Sequence, residues 1–259
     1  DYSLPNKIDP TIFIDGLEHN KIIFINWKIE KIDFEYEDEN NIDALRFMGI
    51  LAFKSGNHDI AEAMLTKALK LDPTYSLVWA NLAQVFSVTG QLDKAKKSFK
   101  NILNMEPKNG LIWAEYGTVL TKLANYKEGR DAYLKALEFK PDSPRVHLSL
   151  GHVYKTMGEI DNSIDSYKNT ILQNNLSGEA YWSLANLKTY SFSENEIIDM
   201  EKTLQKDMSD IERSQMHFAL GKAYEVKKDF DKDFINYYEG NKGKKGLIKY
   251  SSDVTTDNR

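Results

Sequence analysis

The chain has 259 residues, 41 % of them apolar and 28 % charged, with 34 Lys+Arg against 39 Asp+Glu and a net charge of -5. Enough apolar material is present for a folded core, and the weak acidity argues against general affinity for nucleic acid, whose phosphates need neutralising cations. Cysteine is absent, which excludes a disulfide scaffold, a thiolate metal site and a Cys nucleophile and fits a reducing, cytoplasmic setting.

Residues 1–41 read as a degenerate helical cap followed by an acidic linker. Asp9-Pro10 has the form of a helix start, with Asp capping and Pro at the first helical position. Phe24, Trp27 and Ile32 then recur at roughly helical spacing, and Glu35 to Asn40 is a solvated acidic run. The longest apolar run, Ile22 to Ile25, is four residues. A bilayer span needs about 20, and the first residues lack the basic-then-apolar pattern of a signal peptide. No membrane partner is expected.

From residue 42 the chain repeats. Pro73, Pro107 and Pro141 are 34 residues apart, as are Trp79 and Trp113. Gly49, Ala83, Gly117, Gly151 and Ala185 form a series at the same period, and so do Gly56, Gly90, Ala124 and Gly158. Such a period marks stacked helical hairpins. The first small residue lets two helices approach where they cross. The second sits at the turn between them, where glycine takes a positive φ without a Cβ penalty. The proline follows the second helix, which it cannot continue. The fold class expected is all-α.

The pattern resembles the tetratricopeptide repeat. Residues 76–109 match best, with Trp79, Leu82, Ala83, Phe86, Gly90, Ala95, Phe99 and Pro107. The resemblance implies a right-handed superhelix of about five to six helix pairs. The repeats lie near 42–75, 76–109, 110–143, 144–177, 178–213 and 214–241, and a basic polar tail, loosely ordered, covers 242–259. Trp79 and Trp113 are expected to be core spacers.

From about 144 to 241 the sequence also resembles the N-terminal half of bacterial proteins in which these repeats precede a sulfotransferase domain. The stretches that carry this are Ser149 to Gly158, Gly178 to Phe192, His217 to Tyr224 and Tyr238 to Asn241. In that family the phosphosulfate-binding loop follows the Gly-Asn segment, so the resemblance implies a catalytic half beyond Arg259 and no catalytic or cofactor-binding residue within this chain.

No other motif points to chemistry. Gly240, Gly243 and Gly246 lack the spacing of a phosphate loop. His147 and His152 are five apart, which places them about 140° apart on a helix, too far round to share a metal. His147 stands in the register of Trp79 and Trp113, as a packed ring. The carboxylates are scattered and mark no acid–base pair.

The resemblance leaves the concave groove, which the first helix of each hairpin lines. Its positions hold Arg145, His152 and Lys155 in the fourth repeat, Trp182, Asn186 and Tyr190 in the fifth, and Lys222 in the sixth. These form a cationic and aromatic patch expected to take a peptide or protein ligand, or the acceptor of an attached sulfotransferase. A stand-alone assembly adaptor is the alternative. In the last helix, Phe230, Phe234 and Tyr237 are expected to pack on the helix carrying Leu220 and Tyr224. Ile235 and Tyr238 are left on a flank to dock a following domain.

Overall fold

The computed structural model describes residues 40–247. The cap and linker expected over 1–41 therefore fall almost wholly outside the described residues, as does the end of the tail. Among the described residues there are twelve α-helices and no strand. They are α1 (Ile42–Lys54), α2 (His58–Leu71), α3 (Ser76–Val88), α4 (Leu92–Met105), α5 (Gly110–Lys122) and α6 (Tyr126–Phe139). They continue as α7 (Pro144–Met157), α8 (Ile160–Gln173), α9 (Gly178–Ala185), α10 (Glu194–Thr203), α11 (Asp210–Lys227) and α12 (Phe230–Leu247). The chain divides into two compact units, Asp1–Val85 and Phe86–Arg259, with the boundary inside α3.

Short polar residues start the helices. The Asn41 side chain accepts from the Ala44 N–H, and Asn109 accepts from Ile112, each satisfying a donor the helix itself leaves unpaired. Ser193 and Glu196 form a reciprocal capping box at the start of α10.

The turns inside the hairpins use the left-handed backbone region where the period placed small residues. Gly56, Gly90 and Gly158 have φ of 82°, 75° and 79°, and Ala124 has 59°. Lys228, between α11 and α12, is at 60°.

In the first unit α1 packs against α2 and buries Leu45, Met48, Ala52, Leu65 and Ala68. The closest approach is at Gly49, where a methyl group would lie 2.6 Å from Leu65 Cγ. The second unit repeats this contact. A methyl on Gly117 would lie 2.9 Å from the Tyr133 ring, one on Gly151 would lie 2.6 Å from Tyr167 Cδ1, and one on Gly221 would lie 3.0 Å from the Tyr237 ring. Tyr133 and Tyr167 are buried, and among the described residues Tyr167 is the largest side chain fully removed from solvent.

Three expectations need correction. Trp79 and Trp113 are half-buried rather than core: the buried neighbours are Val78 and Ile112. Each indole N–H donates to a proline carbonyl at 2.8 Å, Trp79 to Pro73 and Trp113 to Pro107. That bond holds one edge of the ring at the surface, since a buried indole N–H needs an acceptor. In α12, Phe230 and Phe234 are 67 % and 69 % exposed. The face toward α11 is Asn236, Tyr237, Gly240 and Gly243 instead, because small residues permit the closer crossing. The backbone expected to loosen at Lys242 continues as helix to Leu247.

These contacts predict two opposite responses to single substitutions. Gly151→Ala should destabilise by about 1–3 kcal/mol, the usual cost of overpacking against a ring that has nowhere to move. Ala124→Gly should stabilise by about 0.5–1 kcal/mol, because relief of the left-handed strain exceeds the added chain entropy. Urea unfolding of the two variants beside the parent chain measures both.

Candidate functional site

The sequence-predicted groove residues lie on α7, α9 and α11 and in the loop after α9. Helical spacing places Arg145, Leu148, His152 and Lys155 along one stripe of α7, since residues three or four apart are neighbours on a helix surface. The same spacing aligns Glu179 with Trp182 on α9 and Phe218 with Lys222 on α11. Two side-chain contacts join the stripes. His152 Nε2 lies 3.2 Å from Glu179 Oε1, and the Trp182 and Phe218 rings pack with centroids 5.5 Å apart.

His152 also binds within its own hairpin. Its Nδ1 is 2.9 Å from the Tyr167 hydroxyl, and the two rings meet edge to face. The tyrosine that fills the space over Gly151 is thus tied through His152 to the next hairpin. Comparable hydroxyl contacts join Tyr133 to Thr118 at 3.1 Å and Tyr237 to Glu225 at 2.8 Å.

The charges on this face are mixed rather than cationic. Arg145, 76 % exposed, sits 3.6 Å from Glu115 of α5. Lys222 donates to Glu225 at 2.9 Å, and the ammonium, then the Tyr237 hydroxyl, hold the Glu225 carboxyl below its ordinary range. Lys155 is exposed and forms no ion pair among the described residues. The carboxylates Glu115 and Glu225 and the ring of Phe218 belong to this face, although the sequence reading did not single them out. For Phe218 and Glu225 the signal was available, since they lie four residues before and three residues after Lys222, on the same side of α11.

Asn186 and Tyr190 have other partners. Asn186 caps α9: both its N–H and its side-chain amide donate to the Trp182 carbonyl, at 3.1 and 2.8 Å. The Tyr190 hydroxyl donates to Glu196 of α10, and Lys168 of α8 lies 5.0 Å from its ring. It thus meets the second-helix layer rather than the stripe of α7, α9 and α11. Burial and the Glu196 contact raise its hydroxyl pKa. Burial pushes Glu196 up, but the Tyr190 hydroxyl and the Ser193 donors outweigh it and hold the carboxylate low. Ile235 and Tyr238, both 58 % exposed, lie far along the chain on the outer side of α12.

Among the described residues no cluster of His, Asp and Glu could hold a metal ion, and no helix is long and apolar enough to cross a membrane.

Comparison with known proteins agrees with this architecture. Residues 52–114 match a tetratricopeptide repeat family model, and residues 117–158 match a second TPR repeat model. No curated protein matches the sequence significantly. Among solved structures, the chain is similar to PilF of Pseudomonas aeruginosa, with a TM-score of 0.58 and 21 % identity over 75 % of this chain and 88 % of that one. It is similar to MamA, with a TM-score of 0.52 and 20 % identity over 83 % of this chain and 100 % of that one. It is also similar to YrrB, described as a TPR protein with an unusual peptide-binding site, with a TM-score of 0.54 and 18 % identity over 81 % and 94 %. These likenesses establish a TPR-type helical fold.

The position shared by Trp79, Trp113 and His147 gives a pH prediction. His147 also bonds back to the proline six residues earlier, Pro141, but burial outweighs that bond and lowers its pKa below 6.5. The unfolded chain therefore takes up this proton more readily than the folded one. The contribution of His147 is constant above pH 6.5 and is lost as pH falls through 6.5 toward the folded value. The urea midpoint should drop between about pH 7.5 and 5.5, and His147→Phe should reduce that drop.

Proposed function

We propose that the chain is a protein-interaction scaffold whose α7–α9–α11 face takes an extended peptide. The observation that carries this is the ring pair Trp182–Phe218, continuous with the exposed Lys155 through the His152–Glu179 contact. A half-buried tryptophan on a face of alternating charges is the usual composition of a binding hot spot, where one aromatic anchor works inside a polar surround. The ligand would lay an apolar side chain on the ring pair and a carboxylate at Lys155, with Arg145 and Lys222 exchanging their internal partners for it. The likeness to YrrB, whose published description names a peptide-binding site, supports the same reading.

A finer reading follows from the sulfotransferase-associated stretches between 144 and 241, in which this face would present an acceptor to a catalytic domain. The repeat matches support a stand-alone adaptor equally well. The reading frame beyond residue 259 separates the two. A strand followed by an Arg/Ser/Gly/Thr-rich loop supports recruitment, and a stop codon supports the adaptor.

Peptides selected from a random display library against the full chain test the face itself. Trp182→Ala should weaken the selected peptides by at least about tenfold, as truncation of an aromatic anchor does. Lys155→Ala with Lys222→Ala should weaken them further at low salt than at high salt, because exposed charges are screened. Selected peptides that bind both variants as they bind the parent place the binding site elsewhere.

A further inference from the structure

The outer side of α12 gathers several large exposed apolar side chains outside the face described above. Phe230, Phe234, Ile235 and Tyr238 are all more than half exposed, and the Phe234 and Tyr238 rings stack with centroids 6.5 Å apart. The helix is docked on α11 by its opposite side. Ser214 donates to the Gly240 carbonyl at 2.6 Å, and His217 meets Asn236 at 3.0 Å. The inner side of this helix thus holds one large ring, Tyr237, among Asn236, Gly240 and Gly243, while its outer side carries four large apolar side chains. A monomeric helix would carry the reverse pattern, so the outer side is built to be covered.

The order of residues on that side identifies what covers it. Asp231, Ile235, Tyr238 and Lys242 follow one another at intervals of four, three and four. This is the seam spacing of a two-helix coiled coil. The seam is apolar in its two middle layers and oppositely charged at its two ends. When it is laid antiparallel on an identical helix about a two-fold axis, Ile235 meets Tyr238 of the second copy and Asp231 meets Lys242 of the second copy. Each pair occurs twice, as a two-fold interface requires. A parallel arrangement would oppose Asp231 to Asp231 and Lys242 to Lys242, which disfavours it. Asp231 is exposed. Among the described residues the Lys242 ammonium has one ion-pair contact, with Glu239 three positions before it at 3.6 Å, and its side chain is largely in solvent. Both end charges are thus available to a second copy.

We propose that α12 pairs antiparallel with α12 of a second copy of this chain, through an Ile235–Tyr238 core closed by two Asp231–Lys242 ion pairs. One helix per copy buries less than the roughly 1,200–2,000 Å² of stable complexes, so the dimer is weak and depends on concentration.

Sedimentation equilibrium of the full chain measures this. The parent should pass from monomer to dimer across about a hundredfold range of concentration. Asp231→Lys and Lys242→Asp should each weaken the dimer by about tenfold, because each single change turns both end pairs repulsive. Combining the two in one chain should restore dimerisation, and so should mixing the two single variants, since either arrangement rebuilds opposite charges across the axis. Ile235→Lys with Tyr238→Glu should abolish the dimer and leave the urea midpoint unchanged. If that variant unfolds, the charge exchanges decide alone, because Asp231 and Lys242 are both exposed. A parent chain that stays monomeric throughout overturns the proposal and assigns the face to a different partner, such as a following domain. Single charge variants that dimerise like the parent, or a combined variant that does not recover, overturn it as well.

Discussion

One contact recurs in four of the hairpins: a glycine in the first helix faces a large side chain sixteen positions later in the second. Gly49 faces Leu65, Gly117 faces Tyr133, Gly151 faces Tyr167 and Gly221 faces Tyr237. Any methyl group at these glycines would lie 3.0 Å or less from a side-chain atom of the opposite helix, so the interhelical distance is fixed by the ring or branched chain alone. Interiors packed at crystal-like density tolerate little variation at such points. In α5–α6 and α7–α8 the crossing recurs after 34 residues, at Gly117 and Gly151, and the two hairpins pack on each other through α6 and α7.

The aromatic at that crossing also links packing to the candidate binding face. A tyrosine carries its hydroxyl past the glycine to the far side of the first helix, where it must find a partner. Tyr167 finds His152, which in turn meets Glu179 of the next hairpin. Tyr237 finds Glu225, which also holds Lys222. Polar groups that the repeat pattern presents as ligand-binding candidates are thus partly engaged in registering one hairpin on another. A ligand on this face would exchange partners with those groups, so it would couple to the stacking of α7, α9 and α11.

Much of this was legible in the sequence, for identifiable reasons. Period 34 located the crossing glycines Gly49, Gly117 and Gly151 and the four turn residues, because only small residues meet those steric demands, and Ala124 shows that the turn keeps its left-handed backbone even without glycine. Helical spacing fixes which positions of α7 and of α11 share a side, but not that Asn186 would cap α9 and Tyr190 meet α10. The positions of Trp79, Trp113, Phe230 and Phe234 were not legible. Large aromatics read as core when size alone is counted, yet the indole N–H draws Trp79 and Trp113 to a surface carbonyl. In α12 the glycines, not the phenylalanines, mark the buried side. The mixed charge of the α7–α11 face was also missed, since Glu115 and Arg145 meet across hairpins, thirty residues apart in sequence.

The fifth hairpin departs from the others, and the departure has a consequence for the face beside it. Asn186 turns the chain after only eight residues of α9, by directing both of its donors to the Trp182 carbonyl. The segment that follows folds inward: Leu187 and Phe192 are buried with Ile197 and Met200 of α10 and with Leu204 just after it. They share one cluster with Tyr167 of α8 and with Met216, Leu220 and Tyr224 of α11, and Trp182 is packed against its edge. In a regular array each hairpin contacts only its neighbours and can open separately. Here one apolar cluster runs from Tyr167 of α8 to Tyr224 of α11. The ring pair of Trp182 and Phe218 therefore stands on a continuously packed part of the second unit. An aromatic anchor benefits from that placement, because little ordering entropy remains to be lost when a ligand settles on it.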